Sequence, residues 1–236
     1  MGKLIVALDL VDKKRIYELI ERLGDNIDFY KVGIIPYLTC GDEIIKKLKK
    51  EGKKIFLDFK FFDIPNTVKN ASRIIFEKEI DMFTVHLMAG QQMIKSIIEI
   101  KKELKSETKI IGVSILTSFT EKDIDFLNMN TKIDKLVEKL VDYGYKWGID
   151  GVVCSGQELE MIRRKYKPPF LIIVPGVRID EKNEKDDQKR IITPEQAIKK
   201  GADFIVIGRP VYENPEPEKV VEKILSEIKN GNKNMD

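Results

Sequence analysis

The chain has 236 residues, of which 42% are hydrophobic and 34% are charged, a composition typical of a soluble globular protein rather than a disordered one. Its 42 Lys and Arg residues are nearly balanced by 39 Asp and Glu residues, so the net charge of +3 does not favour a nucleic-acid partner. No apolar run approaches the roughly 20 residues needed to span a bilayer. The N-terminal run MGKLIVALDL is too short for the apolar part of a signal peptide and lacks a cleavage site. We therefore expect neither a nucleic-acid nor a membrane partner.

The cysteines and the single histidine bear on compartment and metal binding. Cys40 and Cys154 lie far apart and belong to no CxxC pair, so we interpret them as reduced core thiols of a cytoplasmic protein. His86 is the only histidine, and without a Cys/His cluster the sequence predicts no metal site.

Short apolar runs alternate with amphipathic segments along the whole chain. The runs, each of a length typical of a buried strand, are 4–9, 29–33, 54–59, 82–86, 109–116, 151–155, 170–176 and 204–208. Apolar residues at helical spacing occupy the segments between them, for example 13–24, 41–52 and 89–104. Several of these segments end in glycine, as a helix C-terminus does.

This alternation predicts an α/β fold with a parallel sheet. Eight strand–helix units in a chain of this length match a single-domain (β/α)8 TIM barrel over residues 1–236. A doubly wound open sheet is the alternative, but the Gly-rich fingerprint expected after its first strand is missing. The last residues, 230–236, are polar, and we expect them to fray.

Charged residues stand at the ends of three successive apolar runs. Asp9 ends the first, Lys31 lies near the end of the second, and Asp58 and Lys60 end the third, with Asp63 in the loop that follows. In a parallel barrel these ends meet at one rim, where active sites form. Ion pairs that merely plug the barrel are the alternative, but five charges at one rim favour a functional site.

A phosphate site is predicted after the eighth run, in the motif FIVIGRP. Loops after strands seven and eight of such barrels often bind phosphate through backbone N–H groups. Gly208 allows close approach of the backbone, and the guanidinium of Arg209 can hold two phosphate oxygens at once. An ordinary surface arginine is the alternative.

A long charged loop follows the seventh run and includes Arg178 and Gln188. No apolar residue lies between Ile179 and Ile191, which predicts a lid at about 178–190 beside the phosphate site, or else a solvated loop without a role. After the fifth run, the hydroxyl of Thr117 can reach a ligand at the rim. Thr120 is better explained as a helix N-cap.

At these motifs the chain resembles the bacterial orotidine 5′-phosphate decarboxylases, over about residues 3–228. The most specific match is DFKFFDIPNT, at 58–67, to the pattern DxKxxDIPNT of that family. ALD, KVG, ILTS, VPGVR, DQKRIITP and IGRP match in the same order. Relatives often have TPGIR where this chain has VPGVR, and its lid segment is slightly longer and more charged.

The resemblance implies roles for individual residues. It assigns the catalytic network to Lys31, Asp58, Lys60 and Asp63. It assigns substrate contacts to Asp9, Lys31 and Thr67 at the ribose, Thr117 at the pyrimidine edge, and Arg178, Gln188, Gly208 and Arg209 at the phosphate and lid.

The resemblance also implies decarboxylation of orotidine 5′-phosphate to UMP, the last step of de novo pyrimidine nucleotide synthesis. Loss of CO2 leaves a carbanion at C6, and the chain has no cofactor motif. We therefore expect no cofactor: the ammonium of Lys60 would stabilise the carbanion and then protonate it. Asp58 and Asp63 would keep Lys60 charged and aimed, while Lys31 would offset the charge of Asp58.

A homodimer with shared active sites is the expected assembly. Phe61, Phe62 and Ile64 give the loop around Asp63 more apolar surface than an exposed turn normally has. Together with the resemblance, this predicts that Asp63 and Thr67 reach across the interface into the partner's site.

Two other functions are consistent with the sequence. One is a Mg²⁺-dependent sugar-phosphate decarboxylase or aldolase of the same barrel superfamily, which shares the DxKxxD strand but lacks IPNT and the DQKR lid. The other is a non-catalytic barrel that binds nucleotides.

Overall fold

Eight parallel strands form a closed barrel in the computed structural model, which describes residues 2–178 and 192–233. Each strand pairs with its neighbours in the chain, and the last strand pairs with the first. The strands are β1 (Lys3–Ala7), β2 (Phe29–Gly33), β3 (Lys54–Phe61), β4 (Met82–His86), β5 (Lys109–Val113), β6 (Gly151–Val153), β7 (Leu171–Pro175) and β8 (Phe204–Ile207). The predicted barrel is thus confirmed, and the alternative of an open sheet is wrong.

Helices follow the strands and form the outer layer. They are α1 (Lys13–Leu23), α2 (Ile34–Cys40), α3 (Glu43–Lys50), α4 (Pro65–Glu77), α5 (Gln91–Glu103), α6 (Glu121–Phe126), α7 (Ile133–Trp147), α8 (Leu159–Lys165), α9 (Pro194–Lys199), α10 (Arg209–Tyr212) and α11 (Pro217–Lys233). Among the described residues, no helix is long and apolar enough to cross a membrane.

Local sequence signals explain several helix ends. The side chain of Asp12 accepts a hydrogen bond from the backbone N–H of Arg15 and so caps the start of α1. Gly24 follows the end of the same helix with a positive φ of 43°. Thr120 and Asp123 form a capping box at the start of α6, which confirms the expectation for Thr120.

The apolar core has two layers separated by the barrel wall. Side chains inside the barrel include Ile5, Phe29, Phe56, Ile111 and Ile173, which pack with one another. A larger layer fills the space between the strands and the surrounding helices. The two layers hold the strand ends in fixed positions, so residues at the C-terminal rim are presented by a rigid scaffold.

Aspartate side chains fasten the opposite, N-terminal end of the barrel. Asp81, Asp150 and Asp203 stand immediately before β4, β6 and β8. Each accepts a hydrogen bond, 2.7 or 2.8 Å long, from the backbone N–H of the second residue of the preceding strand. These contacts satisfy N–H groups at the strand starts, so this end of the barrel contributes stability.

The C-terminal segment is helical as far as the structure describes it, and the fraying expected for 230–236 stays a prediction. Helix α11 continues to Lys233, so the described part of the predicted frayed tail, 230–233, is helical. Gly231 is buried, and the side-chain oxygen of Asn232 accepts a hydrogen bond from the N–H of Gly2 at 2.8 Å. Packing against the N-terminus overrides the low apolar content of this segment. Residues 234–236 lie outside the described residues.

Candidate active site

The C-terminal ends of β1, β2 and β3 bring four charged side chains into one continuous network. Nζ of Lys31 donates to both carboxylate oxygens of Asp9, at 2.9 and 3.0 Å. The same nitrogen lies 3.5 Å from Oδ2 of Asp58. Nζ of Lys60 donates to both oxygens of Asp58, at 2.9 and 3.0 Å. The predicted convergence of Asp9, Lys31, Asp58 and Lys60 is therefore present.

Glycine at position 33 leaves room for this network. A Cβ atom built on Gly33 would lie 3.0 Å from Oδ1 of Asp9 and 3.1 Å from Nζ of Lys31. Both distances are tighter than nearly all real Cβ contacts. The motif KVG therefore ends in glycine because the ion pair occupies the space of a side chain.

Strand β3 departs from regular pairing where it bears the charges. Its pairing with β4 advances by four residues on β3, from Leu57 to Phe61, but by only two on β4, from Phe83 to Val85. Lys60 lies within this bulge and has a φ of 50°, in the left-handed region. Such a conformation costs a non-glycine residue about 1–3 kcal/mol, and residues that adopt it cluster at functional sites.

Thr84 on β4 lies against this bulge and is not among the site residues predicted from the sequence. Its side chain is fully buried. The hydroxyl accepts a hydrogen bond from the backbone N–H of Lys60 at 2.8 Å and donates one to Oδ1 of Asp58 at 3.0 Å. A threonine in the middle of the apolar run MFTVH was the only sequence signal for it.

The electrostatics of the network keep Asp58 ionised. Burial is the largest influence on its carboxyl group and raises the pKa. The ammonium groups of Lys31 and Lys60, with hydrogen bonds from Lys60 and Thr84, outweigh burial, so the pKa of Asp58 lies below its ordinary value. Since the Asp58 side chain is only 13% exposed, its charge depends on these partners.

A cavity of about 160 Å³ adjoins the network at the ends of β1, β2, β7 and β8. Asp9 and Lys31 line one side of it, and Arg178, Gly208 and Arg209 line the other. Burial lowers the pKa of Arg178, and the nearby positive charge of Arg209 lowers it further. Two guanidinium groups held close together in a partly dry cavity favour binding of an anion.

The backbone fixes Arg178 at the edge of this cavity. Val177 pairs with Ile192 in an isolated parallel bridge, and the N–H of Arg178 donates to the carbonyl oxygen of Ile192 at 3.0 Å. Gly208, which begins the turn into α10, packs against Ala7, since a Cβ atom there would lie 3.3 Å from the Cβ of Ala7. The two predicted phosphate-binding segments thus face the same cavity.

Three further residues of the predicted site stand apart from the network. Asp63 is exposed and makes no ion pair with any residue that the structure describes; its Oδ1 accepts from the N–H of Ile64 at 2.6 Å. Thr67 is exposed on the first turn of α4, and Thr117 is half-buried after β5. Gln188, and the predicted lid beyond Arg178, lie outside the described residues.

His86 closes β4 beside the charged residues. Its ring stacks on that of Phe62, with centroids 5.3 Å apart, and its Nδ1 accepts a long hydrogen bond from the N–H of Met88. Burial lowers the pKa of His86, and the positive charge of Lys60 lowers it further. The imidazole is therefore neutral at neutral pH.

Comparisons with known proteins agree with the geometry. The model of the orotidine 5′-phosphate decarboxylase / HUMPS family matches residues 2–224. The chain is 40% identical over 232 residues to the orotidine 5′-phosphate decarboxylase of Lawsonia intracellularis, covering 97% of this chain and 100% of that one. It is 38% identical over 230 residues to the corresponding protein of Geotalea daltonii, covering 96% of each chain.

Two solved structures are similar along nearly the whole chain. The crystal structure of orotidine 5′-phosphate decarboxylase from Lactobacillus acidophilus has a TM-score of 0.83 and 33% identity, covering 97% of this chain and 99% of that one. That of the Methanocaldococcus jannaschii orotidine 5′-monophosphate decarboxylase, complexed with the inhibitor BMP, has a TM-score of 0.77 and 26% identity, covering 97% of this chain and 99% of that one.

Proposed function

The chain belongs to the orotidine 5′-phosphate decarboxylase / HUMPS family, and we propose that it decarboxylates orotidine 5′-phosphate to UMP, in pyrimidine nucleotide synthesis, by a cofactor-independent electrostatic mechanism. The main observation behind the mechanism is the line of contacts from Asp9 through Lys31 and Asp58 to Lys60. These charges adjoin a cavity lined by two arginines. The arrangement offers a fixed ammonium to the reacting base and a separate site to the phosphate.

Lys60 is the proposed proton donor. When the bond from C6 to the carboxylate breaks, CO2 leaves and the electron pair stays on C6, where the pyrimidine has no conventional electron sink. The ammonium of Lys60, at the mouth of the barrel and 38% exposed, stabilises this charge. Its Nζ then transfers one proton to C6, and the resulting amine regains a proton from solvent.

Asp58 and Lys31 set the position and charge of Lys60 in this proposal. Both carboxylate oxygens of Asp58 accept from Nζ of Lys60, so the ammonium is held in one place before the substrate arrives. Lys31 offsets the negative charge of Asp58 and also orients Asp9. Asp9, which is the more exposed carboxylate of the two, is the proposed partner of the ribose hydroxyls.

The phosphate is proposed to bind in the cavity between Arg178 and Arg209. Burial, followed by the positive charge of Arg209, lowers the pKa of Arg178, and a phosphate dianion between the two guanidinium groups would offset their repulsion. Gly208 lets the phosphate approach the backbone. Since the phosphate does not react, its binding energy contributes by holding the pyrimidine at Lys60. The assignments of Thr117 to the pyrimidine edge and of Gln188 to the phosphate stay predictions from the resemblance.

We further propose a homodimer in which Asp63 and Thr67 complete the partner's site. Asp63 has no cationic partner among the described residues of its own chain, although it follows the catalytic strand by only two residues. Phe62 and Ile64 beside it are 61% and 66% exposed. Leu38 lies on α2, whose Tyr37 ring packs against Phe59 of β3, and it is 79% exposed. The exposed apolar side chains beside Asp63, together with its lack of a cationic partner among the described residues, support a second copy of the chain as the cover of this loop.

A cytoplasmic location is part of the same proposal. Cys40 and Cys154 are both buried and form no disulfide, which supports a reducing compartment.

The direct test of the function is to mix purified protein with orotidine 5′-phosphate and follow the ultraviolet absorbance of the pyrimidine. We expect absorbance to decrease as UMP forms, and the rate to be unchanged in excess chelator. Loss of the activity in chelator would favour the Mg²⁺-dependent class of the superfamily. Absence of turnover with retained UMP binding would favour a non-catalytic nucleotide-binding barrel.

A further inference from the structure

The hydroxyl of Thr84 joins the backbone of Lys60 to the side chain of Asp58. It accepts from the Lys60 N–H at 2.8 Å and donates to Oδ1 of Asp58 at 3.0 Å. Thr84 is fully buried at the centre of β4, and a hydroxyl has a single proton to donate. That proton is already committed to Asp58, so Thr84 is a support for its neighbours rather than a proton donor to a substrate.

The bulge in β3 creates the need for this support. Because pairing with β4 is interrupted between Leu57 and Phe61, the N–H of Lys60 takes the threonine hydroxyl as its acceptor in place of a backbone carbonyl. A buried N–H without an acceptor costs free energy comparable to a lost hydrogen bond. The strained left-handed φ of 50° at Lys60 persists only where the surroundings fix it.

The same hydroxyl also orients the carboxylate of Asp58, which accepts hydrogen bonds from the ammonium of Lys60. Oδ1 of Asp58 accepts from both Thr84 and Nζ of Lys60, while Oδ2 faces Lys60 and Lys31. Rotation of the carboxylate would break the hydrogen bond from Thr84 as well as the contact with Lys31. Both ends of the Lys60 residue, its backbone N–H and its ammonium, are thus held through one buried hydroxyl.

We propose that Thr84 is a positioning residue: it holds the bulge of β3 in the conformation that aims the ammonium of Lys60 at C6 of the substrate. This inference rests on the proposed role of Lys60. Thr84 itself contacts neither the arginine-lined cavity nor the predicted ribose contacts. Its loss should therefore slow the chemical step and leave substrate binding nearly intact.

Thr84→Val tests the inference, because valine has the shape of threonine without the hydroxyl. We expect kcat to fall on the order of 100-fold, as for a small misplacement of a reacting group. KM and the Kd for UMP should stay within about threefold of wild type, since the binding groups are untouched. Thr84→Ser, which keeps the hydroxyl, should restore most of the lost kcat.

Thr108→Val is the matched control, since Thr108 is also buried but lies before β5 at the other end of the barrel, where its hydroxyl accepts from Ser106. It should have the kcat of the wild type. All variants are first compared by circular dichroism and thermal unfolding. If Thr84→Val does not fold, Thr84→Ala replaces it with the same expectation.

Three results would overturn the inference: a wild-type kcat for Thr84→Val, an equal loss of UMP binding and kcat, or no recovery in Thr84→Ser. Lys60→Ala, assayed alongside, separates this inference from the proposed function. If Lys60→Ala is inactive while Thr84→Val is as active as the wild type, only the positioning role fails. If Lys60→Ala turns over normally, the proposed role of Lys60 fails first.

Discussion

Nζ of Lys60 lies 2.9 Å from Oδ1 and 3.0 Å from Oδ2 of Asp58, two residues earlier on the same strand. A regular strand places residues two apart on one face, but the contact here also involves a bulge and a left-handed backbone at Lys60. The ammonium is therefore fixed before any substrate binds. Such an arrangement suits a reaction in which a negative charge develops at one carbon, because the positive group that stabilises this charge is already in place.

Arg209→Ala tests the phosphate site. Loss of one charge-assisted contact should lower kcat/KM for orotidine 5′-phosphate by roughly tenfold to a hundredfold, equivalent to about 1.5–3 kcal/mol. Orotidine, which has no phosphate, should be affected far less. Steady-state kinetics with both substrates measure the difference, with the exposed Arg164→Ala as the matched control. An equal loss of kcat/KM with both substrates would refute the assignment of Arg209 to the phosphate.

Mixing inactive chains tests whether Asp63 acts across the dimer. Consider a heterodimer of one Lys60→Ala chain and one Asp63→Ala chain. If Asp63 belongs to the partner's active site, one of the two active sites carries both substitutions and the other carries neither. We expect activity to return, up to one working site per mixed dimer. If Asp63 acts within its own chain, the mixture stays inactive although heterodimers form.

The control for this mixture pairs Lys60→Ala with Asp58→Ala. Asp58 and Lys60 contact each other within one chain, so each site of that heterodimer lacks an essential group. We expect no recovery there. Recovery in the control would show that activity arises from something other than complementation.

His86 offers a spectroscopic test of the electrostatics, because the chain has no other histidine and its NMR signal is unambiguous. Burial, followed by the charge of Lys60, lowers its pKa, so its midpoint should lie below 6.5. In Lys60→Ala the midpoint should rise but stay below 6.5, since burial is the larger cause. The exposed Lys14→Ala is the control. A midpoint above 6.5 in the wild type would contradict the geometry.

The lowered pKa of His86 also predicts how stability depends on pH. The unfolded chain binds the proton as the pH falls through about 6.5, whereas the folded chain binds it only at a lower pH. The free energy of unfolding should therefore decrease from about pH 6.5 down to the folded pKa of His86. His86→Gln, which has no such proton, should lose less stability over the same range. An identical pH dependence of the two proteins in chemical denaturation would contradict the prediction.

Asp150→Ala separates stability from catalysis. Asp150 bonds the N–H of Ile110 at 2.8 Å and Lys101 at 2.7 Å at the N-terminal end of the barrel. Its removal should lower the free energy of unfolding by about 1–3 kcal/mol while kcat stays unchanged. Urea denaturation and steady-state assays measure the two effects, with the exposed Glu99→Ala as control. A large loss of kcat in the folded variant would contradict this division of the barrel.

The positions of the strands could be predicted from the sequence because buried parallel strands are short, continuous apolar runs. β2 and β4 agree with the predicted ranges 29–33 and 82–86. Helix α2 was not predicted from the sequence. Its apolar residues Ile34 and Leu38 are exposed rather than buried on one face, and Pro36 interrupts the helical pattern. Tertiary packing, which sequence periodicity does not express, sets its boundaries.

The part of the site that consists of charged residues at strand ends could be predicted from the sequence. Asp9, Lys31, Asp58 and Lys60 could be identified because a buried strand has no structural use for these charges. Thr84 could not, because its role depends on a bulge in the neighbouring strand, and a bulge has no clear pattern in this sequence.

Lys60→Ala removes the proposed proton donor and is therefore the decisive variant. We expect kcat for orotidine 5′-phosphate to fall by several orders of magnitude, because the variant lacks both the fixed positive charge and the proton for C6. The Kd for UMP should change little, since Arg178 and Arg209 still line the cavity proposed for the phosphate. The exposed Lys14→Ala should behave as the wild type. Loss of an essential proton donor allows far less than about a tenth of the wild-type kcat. If the folded Lys60→Ala variant kept that much activity, Lys60 would not be the proton donor.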